Sequence, residues 1–132
     1  MGFLDKYSGA LLSILRIISA LLFMEHGTAK LLGFPATEMF AVPPEPMTLM
    51  WFAGILEFAG GVLLAIGLFT RPVAFVLSGM MAVAYWMAHA PQSVYPIQNQ
   101  GDAAILFCFV FLYIAAAGGG SWSVDNLLAK KK

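Results

Sequence analysis

Arg16, Glu25, His26, Glu57, His89 and Asp102 all stand in or beside runs of leucine, isoleucine, phenylalanine and alanine. A carboxylate or imidazole can take up and release protons at a bound molecule. A guanidinium can fix a carbonyl, phosphate or carboxylate oxygen. Arg16 sits inside LLSILRIISALLF, and Glu25 and His26 follow in LLFMEHGTAK, Leu21 to Lys30. Ionisable groups in such surroundings are expensive, so their role is the first question the sequence poses.

Composition narrows the setting. Of 132 residues, 61% are hydrophobic and only 11% charged, whereas soluble domains carry about a quarter charged residues. Formal net charge is zero, and no basic patch with interleaved aromatics suggests nucleic acid. Cys108 is the single cysteine. A disulfide framework, a CxxC redox pair and a thiolate metal cluster are therefore excluded, and Cys108 reads as a packing residue.

Four apolar segments must position the polar groups, each near the roughly 20 residues that cross a bilayer core. They cover about 8–32, 47–69, 72–90 and 101–117. Their internal spacing is helical, without barrel alternation. Proline-rich FPATEMFAVPPEP separates spans one and two, ThrArgPro links two and three, and PQSVYPIQNQ separates three and four. Ser123 is placed to cap a short amphipathic tail. The expected fold is all-α: one transmembrane domain over 1–132, an integral membrane four-helix bundle. Lys6, Arg71 and Lys130 to Lys132 fall on one side, which puts both termini in the cytoplasm. Arg16 interrupts the apolar run that a cleaved signal peptide would need.

Depth and face follow from helix geometry. At 1.5 Å per residue, Arg16 lies about 12 Å into the bilayer and Glu57 about 15 Å. An arginine or aspartate at a span centre costs about 2.5–3.5 kcal/mol. The apolar residues from Leu11 to Phe23 together return roughly 3–5 kcal/mol. Arg16 is thereby offset, but Glu25 is not. Arg16 is expected to pair with Glu57. At 100° per residue, Arg16, Ser19, Phe23, His26, Gly27 and Lys30 form the interior stripe of span one, with Glu25 facing away. Glu57, Gly54, Gly61 and Ala65 share a face on span two, and Ser78, Gly79, Ala82, Trp86 and His89 on span three. Asp102, Phe109, Tyr113 and Ala116 share one on span four.

Plainer roles compete with these. Arg16 and Glu57 could form a structural ion pair that fixes register. His26 and His89 could simply be solvated near the interface. Lys30 is expected to snorkel, and Gly60 and Gly61 to serve packing rather than a phosphate loop. Trp51, Trp86 and Tyr95 suit an outer aromatic belt and Trp122 an inner one. Two histidines at similar depth could ligate a haem, but so small a bundle with several charges nearby disfavours it. No covalent cofactor and no metal site is indicated.

The combination of Arg16; His26, Gly27 and Lys30; Glu57 with Gly60 and Gly61; Gly67, Thr70 and Arg71; Asn99 and Gly101; and GlyGly-x-x-Ser-x-Asp ending at Asp125 resembles the DoxX family of small four-helix membrane proteins. The resemblance covers nearly the whole chain. Asp102 departs from it, since glutamate is expected after Asn-x-Gly, and the shorter carboxylate reaches less far. Some relatives are the small membrane subunit of a thiosulfate:quinone oxidoreductase, and others belong to membrane complexes with redox or oxidative-stress enzymes. The resemblance implies a multi-pass protein of a bacterial-type cytoplasmic (inner) membrane.

The leading expectation is a subunit of a quinone-linked oxidoreductase that binds a quinone or similar small molecule between its spans. Arg16 and Glu57 would shape the cavity, and His26, His89 and Asp102 would hydrogen-bond or exchange protons with the ligand. Trp86, Phe109 and Tyr113 would pack the ring. Electron chemistry would come from the quinone or from a partner's cofactor. Two alternatives are a non-catalytic anchor for an oxidoreductase partner and a proton or small-solute path along Asp102, His89, His26 and Glu57. The latter would operate in a homo-oligomer, since the cytoplasmic half of the interior offers only Arg16.

Overall fold

The computed structural model describes residues 2–131, which form helices and connections and no strand. A short 3₁₀ segment, Gly2–Tyr7, leads into helix α1, Ser8–Leu32. Next come α2, Leu49–Ile66, and α3, Thr70–Ala84, which continues through a wider π turn, Tyr85–His89. Then follow α4, Pro96–Asn99; α5, Asp102–Ala117; and α6, Val124–Ala129. Among the described residues three helical stretches are long and apolar enough to cross a membrane: Gly2–Leu32, Leu49–Ile66 and Thr70–His89. The expected fourth span is the apolar helix α5 of 16 residues. At about 24 Å it falls short of a roughly 30 Å hydrocarbon core.

Helix ends are set by local chemistry. Gly33 and Gly67, at φ 65° and 71°, take the left-handed conformation that closes α1 and α2, a position glycine adopts without penalty. Thr48 Oγ1 accepts from Trp51 N at 3.3 Å to start α2. Ser123 caps α6 as expected, accepting from Asn126 N at 3.2 Å. The α2–α3 link differs from expectation. ThrArgPro lies inside α3, and the connection is Gly67–Phe69. The reason is tertiary: Asp125 accepts from Phe69 N at 2.9 Å and Thr70 N at 2.8 Å, so the helix begins before its proline.

Small residues bring α1 and α2 into contact. A Cβ on Gly27 would lie 2.6 Å from Phe58 N and 2.8 Å from Gly54 O, both backbone atoms of α2. Gly61 faces Met24 and Ala20, and Gly60 faces Leu77 of α3. Ser78 Oγ donates to Cys108 O at 2.8 Å, joining α3 to α5. The core contains Ala20, Phe23, Leu64, Ala74, Leu77, Met81, Phe111 and Ile114. Phe23 meets Phe111 edge-on at 4.9 Å. Outward faces carry exposed Ile18, Leu22, Phe75, Val76, Leu106 and Leu112, far more apolar surface than a soluble monomer shows.

One end of the molecule is closed by two arginines and a carboxylate. Arg16 is fully buried. It donates to Leu64 O, to Ala65 O at 2.7 Å, to Gly119 O at 2.8 Å and to Trp122 O at 2.6 Å. Arg71 donates to Ala115 O at 3.1 Å, Ala116 O and Ala117 O at 3.4 Å, the last turn of α5. Both satisfy carbonyls that a helix C-terminus leaves without partners. Ser121 N donates to Gly9 O at 3.0 Å and Asp125 N to Gly67 O at 2.9 Å, tying the C-terminal segment across the bundle end.

Two stability tests follow. Gly27→Ala is expected to lose about 1–3 kcal/mol by overpacking backbone against backbone. Gly79→Ala, where nothing lies within 4 Å of a new Cβ, should gain up to about 1 kcal/mol of helix propensity. Thermal unfolding in detergent measures both, and equal midpoints would refute the close α1–α2 contact. For Asp125, burial pushes the carboxyl up, but the hydrogen bonds of Thr70 and Phe69 and the Arg16 charge outweigh it, holding it below the ordinary 3.8. Its stabilisation is therefore fully present above that value and is lost as pH falls through the lowered one. The margin of wild type over Asp125→Asn should hold at neutral pH and close in acid; a margin independent of pH would exclude the cap.

Candidate functional site

Gly27 and Gly54 let α1 and α2 approach closely, and this contact brings Lys30 and Glu57 together. Lys30 Nζ lies 2.6 Å from Glu57 Oε1, with side chains 9% and 4% exposed. The Phe40 ring, from the 3₁₀ turn Glu38–Phe40, covers the ammonium at 5.4 Å. Glu57 Oε2 is buried and has no hydrogen-bond partner among the described residues. This corrects two expectations: Glu57 pairs with Lys30 rather than Arg16, and Lys30 is buried rather than snorkelling. Arg16 lies about 21 Å down α1 from Lys30, level with Leu64 and Ala65. Depth reckoned from assumed membrane edges misplaced Glu57; the glycine contacts set the true register.

The histidines sit at the same end as that pair. His26 is exposed, at the edge of a groove between α1 and α5 of about 410 Å³. Ser19, Leu22, Glu25, Ala103, Leu106, Phe107 and Val110 line the rest. His26 meets Phe107 edge-on at 6.2 Å. Its Nδ1 faces Leu22 O at 3.1 Å. Since a carbonyl can only accept, Nδ1 carries hydrogen and Nε2 is the free acceptor. His89 is likewise oriented, Nδ1 to Asn99 O at 2.8 Å. It closes the π turn, a local widening common at functional positions. Buried Asn99 organises the loop below it, donating to Ser93 O at 2.8 Å and accepting from Gly101 N at 2.8 Å.

The aromatic ring-packing set is not assembled. Trp86, Phe109 and Tyr113 are 70%, 63% and 58% exposed and point outward. The inner face of α5 is instead Ala104, Phe107, Phe111 and Ile114. Helix α5 is apolar on every side, so Asp102 alone set the phase of the predicted stripe, and packing against Phe23 set the real one. Asp102 is exposed in the first turn of α5, where a carboxylate suits the helix dipole. Gly79 also faces outward. On α1 the stripe of Arg16, Ser19, Phe23, Gly27 and Lys30 is buried, His26 lies at its edge, and Glu25 is exposed.

Several participants escaped sequence reading. Phe107 has no polar neighbour to mark it. Lys30 was placed on the inner stripe of α1, but its pairing with Glu57 was not foreseen. Ser13, fully buried, accepts from Trp122 N at 3.0 Å and donates to Gly9 O at 2.9 Å. Gly60 and Gly61 serve helix contact. Arg71 and Asp125 close the opposite end of the molecule. Among the described residues no group of three or more His, Cys, Asp or Glu could hold a metal ion.

Residues 11–90, which contain Arg16, Lys30, Glu57, Arg71 and His89, match the DoxX family model. An uncharacterized protein of Haemophilus influenzae is 42% identical over 99% of this chain and 100% of its own length. Inner membrane protein YqjF of Escherichia coli is 27% identical, covering 89% of this chain and 92% of the relative. Inner membrane protein YphA of the same organism is 28% identical over 88% and 89%. No solved structure matches. A match across α1 to α3 that takes in both buried cations, joined to a relative aligned from end to end, makes this chain a member of the DoxX family.

Proposed function

We propose that this chain is a multi-pass inner-membrane protein whose groove between α1 and α5 holds a quinone or a similarly flat redox molecule. All of 1–132 forms one domain, a four-helix membrane bundle with both termini in the cytoplasm. The observation that carries the reading is the groove itself. Its lining is mostly apolar, with Phe107 among the lining residues and His26, Glu25 and Ser19 supplying the polar groups. A ring packed on Phe107 would present its oxygen to His26. The free Nε2 accepts a hydrogen bond from a quinol hydroxyl, and the protonated ring donates one to a quinone carbonyl. Electrons would enter and leave through an oxidoreductase partner.

A second reading, a non-catalytic anchor for such a partner, has its own support. Arg16 and Lys30 are spent on internal contacts, so the buried charges serve folding. A proton or solute path has less: Phe23, Leu64, Leu77, Phe111 and Ile114 fill the space between the two charged ends. The inner-membrane assignment draws on the two Escherichia coli relatives that carry that description.

Titration with a short-chain quinone, followed by quenching of tryptophan fluorescence or by calorimetry, tests the groove. Phe107→Ala and His26→Ala are each expected to weaken binding about tenfold, the loss of one stacked ring or one polar contact. Trp86→Ala, at a residue that does not line the groove, should leave it unchanged. Wild type that binds no quinone ends this reading and leaves the anchor. Topology is tested with single cysteines in a Cys108→Ala background. An impermeant thiol reagent added to intact cells should label positions 45 and 94 and spare 6 and 130, as loop charge predicts; the reverse pattern would invert the protein.

A further inference from the structure

The second charged end holds a cleft that the quinone reading does not use. It measures about 540 Å³ and is lined by Phe69, Thr70, Arg71 and Pro72 of the α2–α3 turn, by Ala117 to Gly120, and by Ser123, Asp125 and Asn126. One cation and one anion face the same space. The Arg71 guanidinium spends Nη1 on two carbonyls and Nη2 on one, leaving Nε–H and one Nη2–H of its five donors. Each Asp125 oxygen accepts a single amide, so each keeps a lone pair. Thr70 is 1% exposed, and its Oγ1 makes no hydrogen bond of normal geometry among the described residues, although the side chain lies close enough to Asp125 to help lower that carboxyl. Thr70 lines the cleft beside Gly119, where an added Cβ would come within 2.9 Å of its Oγ1. A buried hydroxyl without a well-formed hydrogen bond is rare, and this one can turn its proton toward a bound acceptor.

Around the cleft the surface is apolar. Phe69, Phe75 and Trp122 are 63%, 65% and 58% exposed, and α6 adds Leu127 and Leu128. Such a rim belongs at the headgroup level of a bilayer. A purely anionic headgroup would suit Arg71 but be repelled by Asp125. A group with both charges satisfies both.

We propose that this cleft binds an amino-phosphate group, carried by a phospholipid with a primary-amine headgroup. Its phosphate accepts from Arg71 and Thr70, and its ammonium donates to Asp125. The site is independent of the α1–α5 groove, so it stands or falls apart from quinone binding. A quaternary amine cannot donate a hydrogen bond, and a glycerol headgroup has no cation, so both should bind less well.

Full-length protein in detergent is titrated with phosphatidylethanolamine, phosphatidylcholine and phosphatidylglycerol of equal chain length, with bound lipid counted by native mass spectrometry. Preference for the ethanolamine lipid of about tenfold is expected, the effect of one charge-assisted hydrogen bond. Thr70→Val removes a hydroxyl that makes no internal hydrogen bond of normal geometry, so its lipid-free thermal midpoint should change little while affinity for that lipid falls severalfold. Arg71→Gln should abolish the preference. Equal binding of the three lipids, a preference for phosphatidylglycerol, or a Thr70→Val variant with unchanged affinity would each overturn the proposal. Soluble O-phosphoethanolamine binding as tightly as the lipid would overturn the lipid as source.

Discussion

A single guanidinium holds this protein's parts in place. Arg16 is fully buried, yet no carboxylate lies within ion-pair distance of it among the described residues. Its charge is met by four backbone carbonyls, two at the end of α2 and two in the glycine-rich segment before α6. Burying such an ion costs several kcal/mol, and charge-assisted hydrogen bonds at about 1.5–3 kcal/mol each can offset it. The helix dipole of α2 adds to the attraction. The bonds to Gly119 and Trp122 draw the C-terminal segment over the bundle end. That places Ser123 to start α6 and Asp125 to start α3. One buried cation thus ties the end of α2 to the segment whose Asp125 starts α3.

The opposite end is built on a different economy. Lys30 and Glu57 form a true ion pair, but one carboxylate oxygen has no hydrogen-bond partner among the described residues. The connection between α1 and α2 is exposed along nearly all its length, and its hydrogen bonds are local. Segments with so few buried contacts open at the least free-energy cost. The histidines and the α1–α5 groove lie at this looser end, and the arginine-closed end supplies the rigidity. The division suits a membrane protein that must keep its helices in register while admitting a molecule from the lipid side.

Much of the fold was legible in the sequence because the signals were local. Apolar runs of helical spacing gave the helices nearly to their ends, glycines marked their stops, and Ser123 announced its cap. The inner stripe of α1 was readable since polar and small residues recur on one face, and Gly54, Gly60 and Gly61 marked α2 for close contact. The DoxX resemblance rested on the same residues and agrees with the family match.

What sequence could not decide was pairing between helices. Arg16 and Glu57 each declared that a buried charge needs a partner, but not which one. A one-residue shift in helix register moves a side chain by 1.5 Å and 100°, and depth alone cannot resolve that. The backbone contact of Gly27 on α2 sent Glu57 to Lys30 and left Arg16 to the carbonyls. The inner face of α5 was equally undetermined, because a helix apolar all round carries no amphipathic signal. There the shape of Phe23 and the Ser78 bond to Cys108 chose Phe107 and Phe111 as the inner residues and turned Phe109 and Tyr113 outward. Residue types set which charges had to be buried; only packing in three dimensions set what each one meets.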